Sequence, residues 1–262
     1  MSLVPFRRKR QLGQHFLVDE NIVAVAGRLA ELGPGDVVLE IGPGLGVLTR
    51  YLADRVAFVH AIEIDWGLEP LLSQIFAMRK NVNLVFADAL ACPLADLDPP
   101  ASKLVSNLPY NVATPLVAES LDGLPAVGLW CVMVQREVAD RFFAAPGTKS
   151  YGAVSVLVQL TAERLGRHAV ARTCFRPPPN VDSALVAFRR RRSWNGELQP
   201  LRKLVQAAFA HRRKTLANSL ELAGLAERKR VVDALAELGH DAGARAETLA
   251  PEEYPRLAEL VS

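Results

Sequence analysis

Apolar residues in the first two thirds of the chain fall into short unbroken runs that alternate with segments of helical spacing. The clearest run, residues 37–41, lacks the apolar-polar alternation of a half-exposed strand, so it predicts a strand buried on both faces. Similar runs predict further strands at 57–62, 82–86, 103–106 and 127–134. A helix capped by Asp19 precedes the first strand, and the helical segments between the strands imply a parallel, doubly wound α/β sheet.

The remaining pattern divides the chain into two predicted domains. A helix at 151–160, a run through residue 172 and a strand at 183–188 complete the first domain, which we place at residues 1–192. The charged stretch 189–196 breaks the pattern. Residues 193–262 show only helical periodicities, with turns near Gly224, Gly239 and Pro251, and predict a small all-helical C-terminal domain.

The composition is that of a soluble enzyme: half of the 262 residues are hydrophobic and 23% are charged. No apolar run approaches the roughly 20 residues of a membrane span, and the first residues lack the apolar core of a signal peptide. The three cysteines are odd in number and widely spaced, which favours buried thiols over a disulfide or zinc framework. We therefore expect a cytoplasmic protein with no structural metal.

The net charge is only +3, but the basic residues are clustered. Four runs, at 7–10, 189–192, 211–214 and 228–230, are what a surface that follows phosphates would require. This distribution predicts a nucleic-acid partner without choosing RNA over DNA. The residues that we expect to bind it in the third run are Arg212, Arg213 and Lys214.

The turns after the first three strands carry residues suited to a nucleoside ligand. Gly42 and Gly44, in the turn after the first strand, would let the backbone approach a ligand, but the spacing G-x-G-x-G differs from the dinucleotide pattern G-x-G-x-x-G. Glu63 is placed to accept both ribose hydroxyls, and Asp88 to hold an adenine amino group. Each acid taken alone could be a surface residue or a helix cap. No basic residue lies in these turns to meet a phosphate, which favours an adenosyl sulfonium cofactor.

The sequence Asn107-Leu108-Pro109-Tyr110 follows the fourth predicted strand and carries the candidate chemistry. The lone pair of a nucleobase amine is delocalised into the ring, so the nitrogen is a poor nucleophile until acceptors localise that pair. The Asn107 side-chain oxygen and the Leu108 carbonyl could both accept from the amine hydrogens. Pro109 would keep Leu108 out of the helical region, and Tyr110 offers a face on which an extruded base could stack. A plain strand end followed by a Pro turn is the alternative.

With these motifs the chain resembles the ribosomal RNA adenine N6-dimethyltransferase family, and within it the small-subunit branch. The resemblance extends over nearly the whole length, and the segments that carry it are 11–17, 40–46, 63–65, 88–89, 107–110, 175–183 and 212–220. The opening segment and the last one are far more specific than the glycine turn.

The resemblance implies a Rossmann-like catalytic domain that binds S-adenosylmethionine through His15, Leu17, Gly42, Glu63, Asp88 and Asn107. It also implies that Phe175 covers the second face of the flipped adenine, although a core aromatic is the alternative for this residue. The implied substrate is a pair of adjacent adenines in a hairpin near the 3′ end of 16S rRNA, in the small subunit or its precursor, and we expect the enzyme to act as a monomer. His15 departs from the family pattern, which often has Asn there.

Three other functions remain open. A 23S rRNA methyltransferase of the macrolide-resistance type shares the cofactor motifs and the N6 chemistry, although segment 212–220 favours the small-subunit branch. A non-catalytic RNA-binding assembly factor could use the same fold, although the intact acids and glycines argue against lost cofactor binding. A nicotinamide-dependent oxidoreductase is disfavoured by the glycine spacing.

Overall fold

The computed structural model of the protein describes residues 14–192 and 198–262. The basic run at 7–10, the first residues of segment 11–17 and the start of the predicted helical domain at 193–197 lie outside these ranges.

Within the described residues, seven strands form the main sheet, in the order β4-β3-β2-β5-β6-β9-β7. The five strands from β4 to β6 are parallel to their neighbours, as predicted, whereas β9 runs antiparallel to β6. The two short strands β1 and β8 pair antiparallel with each other. The strand bounds are β1 Phe16–Leu17, β2 Val37–Ile41, β3 Phe58–Glu63, β4 Val82–Phe86, β5 Lys103–Asn107, β6 Leu129–Gln135, β7 Ala162–Val170, β8 Phe175–Arg176 and β9 Ser183–Arg190.

The helices separate the parallel strands and then make up the C-terminal part of the chain, which confirms the α/β class with a helical C-terminal region. Their bounds are α1 Glu20–Leu29, α2 Val47–Ala53, α3 Glu69–Phe76, α4 Ala113–Gly123, α5 Arg136–Phe142, α6 Ala153–Thr161, α7 Leu198–Phe209, α8 Leu216–Leu222, α9 Arg228–Glu237 and α10 Glu253–Val261.

The central strand β2 lies where the chain order of the sheet reverses, between β3 on one side and β5 on the other. Its residues Val38 and Leu39 have no exposed surface, which explains the unbroken apolar run. Helix α1 begins where the sequence predicts, because the Asp19 side chain accepts from the amide of Asn21 at 2.9 Å. In a doubly wound sheet, ligands bind beyond the carboxyl ends of the strands at such a reversal point.

The contacts within the chain define two compact units. Among the described residues, one unit comprises 14–139 and 164–190, and the other comprises 140–163, 191–192 and 198–262. In the second unit Tyr151 donates to the carbonyl of Leu249 at 2.9 Å and packs edge-on against Phe209, whose ring stacks on Tyr254. Residues 140–163 are thereby joined to the C-terminal helices, whereas the predicted boundary at residue 192 assigns them to the first domain.

Arg190, the last residue of β9, holds the loop that follows α4. Its guanidinium donates to the carbonyls of Leu121, Leu124 and Val127 at 2.8, 3.1 and 2.9 Å, and lies over the Trp130 ring with 4.8 Å to the centroid. Guanidinium is suited to this position because its planar fork carries several donors in fixed directions.

We expect Arg190→Met to lower the free energy of unfolding by about 2 to 4 kcal/mol, because three carbonyls lose a charged donor. Arg189→Met is the matched control, since the neighbouring Arg189 makes a half-exposed ion pair with Glu31 and such pairs contribute about 1 kcal/mol or less. Urea unfolding of both variants checks this. Equal losses in the two variants would contradict the role given to Arg190.

Candidate active site

A cleft opens at the carboxyl ends of the central strands, and segments that are far apart in the sequence line it. It gathers all but one of the predicted catalytic and cofactor residues: His15, Leu17, Gly42, Gly44, Glu63, Asp88, Asn107, Leu108, Pro109 and Tyr110. The exception is Phe175. The cleft belongs to the compact unit that contains the parallel strands.

The glycine turn after β2 needs glycine for its conformation and for close packing. Gly42 and Gly44 have φ values of 77° and 57°, which disfavour residues with a Cβ atom. A Cβ atom on Gly44 would lie 2.9 Å from the Phe16 ring, and one on Gly42 would lie 3.4 Å from the Pro109 ring. The turn is thus in contact with both the N-terminal segment and the Asn-Leu-Pro-Tyr motif.

Glu63 ends β3 with a carboxylate that is buried but hydrogen-bonded. Its two oxygens accept from the amides of Asp65, at 2.9 Å, and Gly44, at 3.1 Å. Burial raises the pKa of Glu63, and these two backbone bonds oppose the rise. Because a carboxylate has about four acceptor positions, the bonds fix its orientation and leave capacity for hydroxyl donors in the cleft.

Asp88 follows β4 and is exposed at the cleft. Its Oδ1 accepts from the amide of Leu90 at 2.9 Å, and its backbone carbonyl accepts from Cys92 at 2.8 Å. Asp88 therefore stabilises the turn that follows, which resembles the capping role named as its alternative. It also lines the cleft.

Asn107 is the last residue of β5, and its amide is satisfied on one side only. The Nδ2 group donates to the backbone carbonyl of His15 at 3.2 Å. The Oδ1 atom is buried and has no hydrogen-bond partner among the described residues. Since a carbonyl can pair only with the NH2 group, the bond to His15 also sets which way the amide faces. The structure thus presents an unpaired acceptor at the position where the sequence predicts one.

Tyr110 is held on one face and at its hydroxyl. Its ring stacks on the His15 ring at 5.6 Å between centroids and 23° between planes. The hydroxyl makes a 2.5 Å hydrogen bond with Ser183, which is fully buried. His15 is itself oriented by a 2.8 Å contact from Nδ1 to the carbonyl of Pro177. A nucleobase could therefore stack only on the face of Tyr110 that His15 does not cover.

Phe175 has a different place from the one that the resemblance implies. It has no exposed surface, pairs with Leu17 in the β1–β8 register, and belongs to the apolar core that includes Val170. A ring with no exposed surface offers no face to a base in this conformation. Phe175 is instead a core side chain, and its pairing with Leu17 fixes β1 beside the cleft.

Several residues of the cleft were not singled out from the sequence. Gln14 donates to Asp65 at 2.7 Å, and Phe16 packs on the glycine turn. Glu40, which precedes the turn, is 1% exposed and contributes to the cleft wall. Gln14, Phe16 and Glu40 stand inside segments that the resemblance quotes, but their roles depend on contacts between segments, which the spacing of residues does not reveal.

The predicted RNA-binding residues lie just before α8 in the second compact unit, and all three are exposed. Arg212 donates to the carbonyl of Lys149 at 3.0 Å and lies 3.5 Å from the Glu247 carboxylate. Part of its charge is therefore compensated by Glu247, within its own unit.

Across residues 14–192 and 198–262, no three His, Cys, Asp or Glu side chains are grouped so that they could hold a metal ion. Among the same residues no helix combines the length and apolar character that crossing a membrane requires.

The chain is similar to a protein family and to several curated proteins. Residues 5–261 match the family model of the ribosomal RNA adenine dimethylases. A ribosomal RNA small subunit methyltransferase A from Rubrobacter xylanophilus is 45% identical over 98% of this chain and 96% of its own length. One from Geobacter metallireducens is 40% identical over 97% of this chain and 96% of its own.

Two solved structures have similar folds. The 23S rRNA methyltransferase ErmE is 31% identical with a TM-score of 0.66, covering 94% of this chain and 99% of its own. A dimethyladenosine transferase from Plasmodium falciparum superposes with a TM-score of 0.75 over 93% of this chain and 96% of its own, at 24% identity. By the extent of the family match and the identity to its curated relatives, this chain is a member of the ribosomal RNA adenine dimethylase family.

Proposed function

We propose that this chain transfers methyl groups from S-adenosylmethionine to the N6 amines of two adjacent adenines in a hairpin near the 3′ end of 16S rRNA, within the small ribosomal subunit or its precursor. Membership of the adenine dimethylase family supports the reaction. The names of the curated relatives support the small-subunit substrate.

The observation that carries the proposal is that Asn107 lines the cleft, while its buried Oδ1 has no hydrogen-bond partner among the described residues. A buried acceptor without a partner costs about 1 to 3 kcal/mol, so a ligand that donates to it there is favoured. The adenine N6 amine is such a donor. By accepting one amine hydrogen, Asn107 would localise the nitrogen lone pair and orient it for in-line transfer.

The residues of the cleft fit the cofactor as well. Glu63 is fixed by two backbone amides and is placed to accept ribose hydroxyls, and the glycine turn admits the close approach of a ligand. When bound, S-adenosylmethionine supplies an electrophilic methyl group. The free face of Tyr110 holds the flipped adenine, Asn107 and the Leu108 carbonyl orient N6, and the amine proton leaves to water.

The 23S substrate is the main competing proposal, because ErmE shares the fold at 31% identity. The names of the relatives at 40% and 45% identity favour the small subunit. A non-catalytic assembly factor would have no need of the unpaired Asn107 acceptor, although catalysis and an assembly role can coexist in one protein.

Mapping transferred label tests this choice. The protein is incubated with labelled S-adenosylmethionine and, separately, unmethylated small subunits, immature small subunits, naked rRNA and large subunits. We expect label on two adjacent adenines of 16S rRNA in a small-subunit sample. Label confined to 23S rRNA would identify the protein as a methyltransferase of the macrolide-resistance type. The absence of label on any RNA would favour the non-catalytic function.

We expect Glu63→Ala to weaken binding of S-adenosylmethionine at least tenfold, because ribose hydroxyls lose a charged acceptor worth roughly 1.5 to 3 kcal/mol per bond. Glu63→Gln keeps the size and one acceptor oxygen, so its loss should be smaller. Calorimetry gives both affinities, and RNA affinity should change little. Cofactor binding that is unaltered in the folded Ala variant would remove Glu63 from the site.

Tyr110→Phe keeps the ring and should slow methyl transfer much less than Tyr110→Ala, because stacking of a base on an aromatic ring is worth roughly 1 to 3 kcal/mol. Ser183→Ala is the matched control, since it deletes the same hydrogen bond from the other side. In single-turnover assays, the methyl-transfer rates of Tyr110→Phe and Ser183→Ala should be similar, and both should be well above the rate of Tyr110→Ala. If Phe and Ala at position 110 were equally slow, the hydroxyl and not the stacking face would matter.

We expect the combined change Arg212→Gln, Arg213→Gln and Lys214→Gln to weaken small-subunit binding and to reduce its salt dependence, each lost phosphate contact lowering the slope by about one. Arg213→Gln with Lys214→Gln should account for most of the effect, because Arg212 already has an acidic neighbour in Glu247.

Arg256→Gln is the control for the loss of an exposed cation, since Arg256 is paired with Glu237 and Glu259. Filter binding at several salt concentrations gives the slopes. A triple variant with the wild-type slope would show that the three cations only make ion pairs within the protein.

A further inference from the structure

Glu40 is a buried carboxyl at the cleft that the proposed reaction does not use. It is the fourth residue of β2, directly before the glycine turn, and is 1% exposed. Its Oε2 atom has no hydrogen-bond partner among the described residues. Buried carboxyls are normally paired with a cation or fully hydrogen-bonded, so the unpaired Oε2 of Glu40 is unusual.

Among residues 14–192 and 198–262, the elements around Glu40 supply no counter-charge. From α2, the buried Thr49 hydroxyl is the polar group that favours the charged form of Glu40, yet its oxygen also lacks a partner in the described part of the chain. From β3, the Glu63 carboxylate adds a charge of the same sign. From β5, the buried Ser106 hydroxyl is bonded to the backbone of Ile41 instead.

These surroundings favour the neutral form of Glu40. Burial raises the pKa of its carboxyl to about 8, Thr49 opposes the rise, and the repulsion from Glu63 adds to it. A positive charge brought into the cleft would reverse this balance, because an opposite charge nearby favours the ionised form of a carboxyl, and most strongly where water is excluded.

We infer that Glu40 loses its proton when the sulfonium cofactor binds and regains one after the methyl group has left, so that it selects the charged cofactor over the neutral thioether product. This inference rests on the proposed function. It makes Glu40 a residue that determines specificity between two ligands that differ by one methyl group and one positive charge.

The protons balance over one transfer. Binding of the cation converts the Glu40 carboxyl to a carboxylate and releases one proton to solvent. Transfer forms the N–CH3 bond and breaks the S–CH3 bond, the sulfur takes the bonding pair and becomes neutral, and the amine nitrogen loses one proton to water. With the positive charge gone, Glu40 takes up one proton from solvent. The net release is the single proton of the methylation itself.

The test is the number of protons exchanged on binding, measured at pH 7 by calorimetry in buffers with different ionisation enthalpies. The ligands are S-adenosylmethionine and S-adenosylhomocysteine, and the proteins are wild type, Glu40→Gln and Glu20→Gln. Glutamine mimics the neutral carboxyl, so Glu40→Gln should fold. Glu20 is an exposed carboxylate of the first turn of α1 and serves as the matched control.

For S-adenosylmethionine, wild type should release close to one proton more than Glu40→Gln, and for S-adenosylhomocysteine the two proteins should agree. The ligand's own amino group titrates near this pH, but it contributes equally to both proteins and cancels in the difference. The preference for S-adenosylmethionine over S-adenosylhomocysteine should fall roughly tenfold in Glu40→Gln, and Glu20→Gln should match wild type.

The pH dependence of wild type relative to Glu40→Gln gives a second readout, in which the ligand's amino group again cancels. Because the carboxyl binds its proton more tightly in the empty cleft than beside the cation, the affinity of wild type for S-adenosylmethionine, divided by that of Glu40→Gln, should rise with pH and level off above about 8. Proton counts that are equal for the two ligands, or unchanged by Glu40→Gln, would overturn the inference and leave the proposed function intact. If neither ligand bound, both would fail.

Discussion

The hydrogen bond from Asn107 Nδ2 to the backbone carbonyl of His15 sets the geometry on which the candidate site depends. It joins the end of a central strand to the N-terminal segment. The other end of the amide, Asn107 Oδ1, has no partner in the described structure. The same His15 stacks on Tyr110. One residue thus orients both the group that would accept from the amine and the ring on which the base would stack.

The position of His15 depends in turn on the short β1–β8 sheet, in which Leu17 pairs with the buried Phe175. A core aromatic side chain therefore contributes to the site at a distance, by fixing the strand that follows His15. Asn107 and Glu40 both line the cleft, and each has a buried oxygen without a partner in the described structure, which costs stability unless a ligand satisfies it. Such unsatisfied groups are expected where the protein is organised in advance for a ligand.

Much of the parallel sheet could be predicted from the sequence, because strands buried on both faces leave unbroken apolar runs, and β2 and β4 have the predicted bounds. Glu63, Asp88 and Asn107 could be placed at the cleft from the sequence, since they follow such strands directly, and their roles in binding and catalysis stay predictions. The place of Phe175 and the link from Tyr151 to the C-terminal helices were not, because both arise from long-range packing, which periodicity does not record. The cytoplasmic location and the monomeric state stay predictions.

The most direct test of this account is the single-turnover rate of methyl transfer by Asn107→Ala at saturating cofactor, which separates the chemical step from weakened cofactor binding. Loss of one oriented acceptor in the transition state should slow transfer on the order of a hundredfold or more, while the variant still binds small subunits. A rate near that of wild type would show that Asn107 only caps the end of β5, and the proposed catalytic centre would be wrong.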